Sequence, residues 1–129
     1  MSMQDAETID VHAHAVLEET MGAAGEHGPQ LSREEIPRFR AGNYELLGVK
    51  YRGSAFMDPE LRIQAMDKAG IDFQVLSPNP LTYFYFIEAH NAQQYCRTHN
   101  NALAEVVAAY PDRLAAFAAV PMQDLGFAI

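Results

Sequence analysis

The sequence predicts an α/β fold whose elements run strand, long loop, helix, strand, helix, strand. Three observations predict it. Residues 8–14 alternate polar and apolar side chains as a strand does; two segments repeat apolar residues at spacings of three and four; and Leu114–Val120 is a nearly continuous apolar run of strand length, as in a parallel strand covered by helices. A βαβαβ order follows.

The first strand reads Ile9-Asp10-Val11-His12-Ala13-His14 after Thr8. Side chains alternate faces along a strand, so Asp10, His12 and His14 are expected on one side and Ile9, Val11 and Ala13 on the other. Imidazole is the commonest protein ligand for divalent transition metals, and an i, i+2 pair lets two rings reach one ion. An edge strand carrying two solvated histidines has the same pattern, and both readings stay open here. A metal site needs three or four ligands, so two histidines leave it incomplete.

Val16–Met57 is punctuated by Gly22, Gly25, Gly28-Pro29, Pro37, Gly42, Gly48 and Gly53 and is expected to be irregular, a functional loop or lid. A helix follows. Asp58 is its N-cap, Pro59 suits the first turn, and Glu60 favours the positive end of the dipole. Leu61, Ala65, Met66 and Ala69 form its expected apolar face, and Gly70 stops it. Ile71–Leu76 reads as the second strand, ended by Ser77-Pro78-Asn79-Pro80.

The second helix is expected from about Ile87 to Ala109, with a stripe of Ala92, Tyr95, Cys96, His99, Ala102, Leu103, Val106 and Tyr110. Pro111 ends it, Asp112-Arg113 turn the chain, and Leu114–Val120 is the third strand, closed by Pro121. Residues 124–129 mix acidic and apolar side chains as though another helix were starting, and nothing terminates it. The chain therefore reads as cut within a domain.

Composition narrows the function. The chain has 129 residues, 49% of them hydrophobic, enough for a sizeable core. A net charge of −8 argues against nucleic acid, which needs clustered Lys and Arg. The longest apolar stretch, Leu114–Met122, is too short to span a membrane. Residues 1–5 are polar and acidic, so no secretory signal is expected. The single cysteine, Cys96, cannot form an internal disulfide, which fits a reducing cytoplasm, and its place on a helical stripe marks it as a buried, inert thiol.

Three blocks taken together resemble the amidohydrolase-related metal-dependent enzymes, in the branch containing aminocarboxymuconate-semialdehyde decarboxylase. The first block is Ile9–His14. The second is Asp58-Pro59-Glu60-Leu61-Arg62-Ile63-Gln64-Ala65-Met66-Asp67, with Gly70 and then Gln74-Val75-Leu76-Ser77. The third is Asn100-Asn101, Tyr110-Pro111-Asp112-Arg113 and Val120-Pro121-Met122-Gln123. Residues 15–57 match that family poorly. The resemblance implies a (β/α)8 barrel, which takes about 250 residues, so residues 1–129 would hold its first three strands and two helices. It also implies that His12 and His14 bind a divalent metal, most often zinc. Asp10 would support them as a structural carboxylate rather than as a ligand. A further His, an Asp and the acid–base residue would come from later strands, so no catalytic residue is expected within residues 1–129.

The activity so implied is metal-dependent decarboxylation or hydrolysis of a small unsaturated or aromatic carboxylic acid, with metal-activated water as the reactive group and a homodimeric parent. A lactonase or hydratase of the same superfamily, or a non-catalytic binding module keeping only the first barrel strands, are the alternatives. Arg52 stands near where relatives carry a substrate-binding arginine and is suited to grip a carboxylate. Tyr83 and Tyr85, in the run Tyr83-Phe84-Tyr85-Phe86 after the second strand, are candidates to wall a pocket for a planar substrate; packing on another part of the protein is the other reading. His90 and His99 are read as structural, and nothing singles out His27.

Overall fold

The computed structural model describes residues 2–129. In chain order its strands and helices are β1 (Ile9–Ala15), β2 (Gln30–Leu31), β3 (Arg38–Ala41), β4 (Tyr44–Leu47), α1 (Pro59–Ala69), β5 (Phe73–Pro78), α2 (Ala89–Ala109), β6 (Leu114–Ala116) and α3 (Leu125–Ala128). A parallel sheet runs β1-β5-β6, with α1 crossing from β1 to β5 and α2 from β5 to β6. This is the expected βαβαβ order.

Both crossover helices form where their caps place them. The Asp58 carboxylate accepts from the Glu60 and Leu61 amides at 2.9 and 3.2 Å, and Gly70 closes α1 in the left-handed region at φ 71°. Glu88 caps α2 in the same way, accepting from His90 and Asn91. The α2 stripe buries Ala92, Tyr95, Cys96, His99, Ala102 and Leu103 as its spacing predicts. On α1 the expected face is different: Ala65 and Ala69 are exposed, and the buried positions are Arg62 and Met66. Met66, Ala102 and Leu103 pack with Ala13, Leu76 and Leu114, so the helices cover one face of the sheet. On the sheet Val11 and Phe117 remain exposed, at 66% and 59%.

The segment expected to be irregular is built. β2, β3 and β4 form an antiparallel sheet, with β3 and β4 joined through Gly42-Asn43 in register Ala41↔Tyr44. Arg38-Phe39-Arg40-Ala41 alternates, burying Phe39 and Ala41 and leaving the arginines outside. Phe39 packs with Val16, Leu31, Tyr51, Phe84 and Tyr95 in a second core that seats this sheet against the start of α2.

The third strand is shorter than Leu114–Val120. Phe117 still donates to the Leu76 carbonyl at 2.8 Å, but at Ala119 the Asn100 side chain takes over the role of a neighbouring strand. Its Oδ1 accepts from the Ala119 amide and its Nδ2 donates to the Ala119 carbonyl, both at 2.8 Å. An amide side chain offers one donor and one acceptor at the spacing of a peptide unit, so the chain leaves the sheet with its polar groups satisfied. The second strand in turn extends further than Leu76, through Pro78, whose missing N–H is harmless at a strand end.

Candidate metal centre

β1 does not alternate regularly. Asp10 lies opposite Gln74 but Ala13 opposite Leu76, so β1 carries one residue more than β5 over this stretch, a β-bulge around Val11–His12. Strict alternation would aim Asp10 with His12 and His14. The bulge breaks the phase, and the Asp10 carboxylate instead accepts from Gln74 Nε2 at 2.7 Å and from the His12 backbone N–H at 2.9 Å. Those two bonds, His12 first, hold its pKa below the ordinary carboxylate value. Among the described residues it bonds neither imidazole ring.

The two imidazoles converge. His12 Nε2 and His14 Nε2 are 3.1 Å apart, with the rings nearly perpendicular at 86°. His14 Nδ1 lies 3.1 Å from the Pro78 carbonyl, which only accepts, and 3.0 Å from Ser77 Oγ. Ser77 Oγ donates to the Ala13 carbonyl, leaving its lone pairs for the imidazole. Nδ1 of His14 is thus the protonated nitrogen, and Nε2 presents a lone pair toward His12.

This arrangement fits a divalent ion. Metal–imidazole bonds of about 2.0–2.1 Å at right-angled to tetrahedral bite set two ligand nitrogens about 2.9–3.4 Å apart, which brackets the observed separation. Metal-bound histidines characteristically donate their other N–H to a carbonyl or hydroxyl, as His14 does. Among the described residues no group of three or more His, Cys, Asp or Glu is gathered to hold an ion. The pair supplies part of a coordination shell and no more.

The histidines line an open concavity with Asp10, Ala13, Ala55, Phe56, Arg62 and Gln74. Arg52 is not on it. Its Nε and NH2 grip Glu18 bidentately at 2.8 and 2.7 Å, and NH1 donates to the Leu31 and Ser32 carbonyls. Every nitrogen of that guanidinium has a protein partner, and the residue ties the start of the long loop to β2. Tyr83 and Tyr85 stack at 5.5 Å with planes 20° apart, beyond the C-terminal end of β5, the end at which His14 sits beside Ser77. Between them Phe84 turns into the second core at 2% exposure. Sequence reasoning passed over Arg62 and Gln74. The available signal was a charged residue four positions before Met66, on the stripe that faces the sheet.

A parallel sheet β1-β5-β6 with helical crossovers, and a His-x-His at the carboxyl end of its first strand, has the layout of the opening βα units of a (β/α)8 barrel. The chain belongs to the amidohydrolase family, which it matches over residues 9–126. It is 33% identical over 66 residues to 2-amino-3-carboxymuconate-6-semialdehyde decarboxylase of Dictyostelium discoideum, covering 51% of this chain and 18% of that protein. It is 40% identical over 63 residues to gamma-resorcylate decarboxylase of a Polaromonas species, covering 49% and 19%. Among solved structures it superimposes on a dihydroxybenzoic acid decarboxylase from Polaromonas, which holds manganese and the inhibitor 2-nitroresorcinol. The TM-score is 0.65 at 26% identity, over 94% of this chain and 32% of that one. The chain thus spans about a third of that structure, and its matches span under a fifth of the curated relatives. No helix among the described residues is long and apolar enough to cross a membrane.

Proposed function

We propose that this chain supplies the first metal-binding strand of a metal-dependent decarboxylase acting on a small aromatic or unsaturated carboxylic acid. One observation carries the reading: the Nε2 atoms of His12 and His14 converge at 3.1 Å while His14 Nδ1 is held by Pro78 and Ser77. The names of the three relatives described above support the substrate class: decarboxylases of 2-amino-3-carboxymuconate-6-semialdehyde, of gamma-resorcylate and of dihydroxybenzoic acid. Such an ion, when bound, supplies Lewis acidity and a water of pKa about 7. The imidazole donors suit zinc, and zinc is the ion we propose, with manganese, held by the Polaromonas enzyme, as its rival.

Within residues 1–129, His12 and His14 would hold the ion and Asp10 would brace His12 through its backbone. Tyr83 and Tyr85 would offer a flat aromatic wall to a planar ring. Arg52, engaged by Glu18, is assigned anchoring of the loop rather than capture of a carboxylate. The buried, unpaired Cys96 accords with a reducing cytoplasm, and a homodimeric parent rests on the family resemblance alone.

The test is the metal content of the complete protein and its release of carbon dioxide from 2,6-dihydroxybenzoate and related acids. His12→Ala and His14→Ala are each expected to lower bound metal to below one ion per ten chains and turnover more than about 100-fold. Full turnover by metal-free protein would overturn the proposal.

A further inference from the structure

Arg62 is buried, at 8% exposure, in a helix face that otherwise packs apolar side chains on the sheet. A charge in that position costs several kcal/mol unless its donors are satisfied. Two protein acceptors meet it: NH2 donates to the His14 carbonyl at 2.7 Å and NH1 to Gln74 Oε1 at 2.7 Å, while the residue also borders the open concavity beside the histidines. Gln74 Nε2 then donates to Asp10 Oδ2, and Asp10 Oδ1 accepts the His12 amide. A single chain of hydrogen bonds from α1 through β5 therefore ends on the backbone of both histidines, at the carbonyl of one and the amide of the other. Among the described residues Arg62 makes no direct ion pair, so burying a guanidinium here does little for stability that an apolar side chain would not do as well.

The chain spans the bulge. The extra residue of β1 lies between Asp10 and Ala13, and Asp10 and Arg62 fasten the strand on either side of it. Because the bulge sets how the two rings face each other, whatever fixes the bulge fixes the spacing of the two Nε2 atoms.

Resting on the metal reading above, we propose that Arg62 is a positioning residue: through the His14 carbonyl and through Gln74 and Asp10 it holds the bulge of β1 in the geometry that lets His12 and His14 share one ion. The fork of the guanidinium is needed to reach both acceptors at once, and a lysine reaches one.

The test uses the complete protein, stripped of metal and titrated with Co²⁺ alone, reading the dissociation constant and the visible spectrum of the bound ion. Arg62→Met is expected to weaken Co²⁺ binding 10- to 100-fold, the range found when a group supporting a metal ligand is removed, and to alter the spectrum. Gln74→Ala, which leaves Arg62 on the His14 carbonyl, is expected to fall between it and the parent, and Arg62→Lys to recover part of the loss. Arg113→Met is the comparison, since Arg113 is similarly bonded, to Asp72, Ile71 and Asp67, but away from the histidines. It is expected to lower the melting temperature and leave Co²⁺ affinity unchanged. Equal Co²⁺ affinity in the parent, Arg62→Met and Gln74→Ala overturns this proposal and leaves the metal reading standing, as does an equal loss in Arg113→Met. Failure of the parent to bind Co²⁺ better than His12→Ala overturns both. If Arg62→Met does not fold, Gln74→Ala and Arg62→Lys decide by the same readings.

Discussion

At the scale of single residues, His99 gives the clearest pH dependence. It lies on the buried stripe of α2 at 2% exposure, its Nδ1 has no hydrogen-bond partner among the described residues, and burial pulls its pKa from 6.5 down to about 4. The unfolded chain therefore takes up this proton at a higher pH than the folded one. The stability that neutral His99 preserves is complete above pH 6.5 and falls as pH drops from 6.5 toward 4, by up to about 3 kcal/mol. Denaturant unfolding at pH 7 and pH 5 should show this slope, and His99→Leu should flatten it; an unchanged slope would mean that the ring is protonated in the fold. The convergence of His12 and His14 was legible because i, i+2 side chains on a strand share a face. Arg62 was not, because an arginine in a helix reads as surface. For Arg52 the sequence did not show its partner: charge alone does not name the carboxylate a guanidinium meets, here that of Glu18, 34 positions away in sequence.

At the scale of elements, α1 and α2 were readable from capping chemistry, which is local. Asp58→Ala removes the acceptor of two amides and should cost about 1 kcal/mol, seen as a lower denaturation midpoint with an unchanged slope. The strands were harder. Just beyond β6 a side chain from a distant element, Asn100, takes over the pairing at Ala119, and no local pattern records that. The hairpin of β3 and β4 left a signal in Phe39-Arg40-Ala41-Gly42-Asn43-Tyr44, alternating residues about a two-residue glycine–asparagine turn. It was masked by the glycines around it. The bulge in β1 could not be read at all, since an extra residue shows only against a partner strand.

At the scale of the whole molecule, α1 and α2 cover one face of the parallel sheet, packing Met66, Ala102 and Leu103 on Ala13, Leu76 and Leu114. Val11 on β1 and Phe117 just after β6 stand exposed, although a parallel sheet ordinarily buries such side chains. Residues 1–129 expressed alone should therefore self-associate as concentration rises. Phe117→Lys should reduce that association in sedimentation while leaving the melting temperature within about 2 °C, the shift of a neutral surface change. An unchanged sedimentation profile would show that Phe117 is not what brings copies together. The barrel class was readable here only through family resemblance. The three strands determine parallel order, whereas closure into a ring is a property of strands they do not include.

Gly42, at the tip of the β3–β4 hairpin, has φ 57°, and a Cβ there would sit 2.6 Å from Cζ of Phe86. The hairpin tip rests on the ring that directly follows Tyr85, and His27 meets the same ring edge-on at 5.6 Å. The flap and the aromatic loop are in this sense hinge leaf and door stop: neither can tilt without displacing the other. Residues 22–52 therefore cannot be exchanged as a self-contained cassette between members of this family, because the seat that sets their angle belongs to a segment more than thirty positions downstream. A graft that carried the flap without Phe86 would arrive intact and point the wrong way.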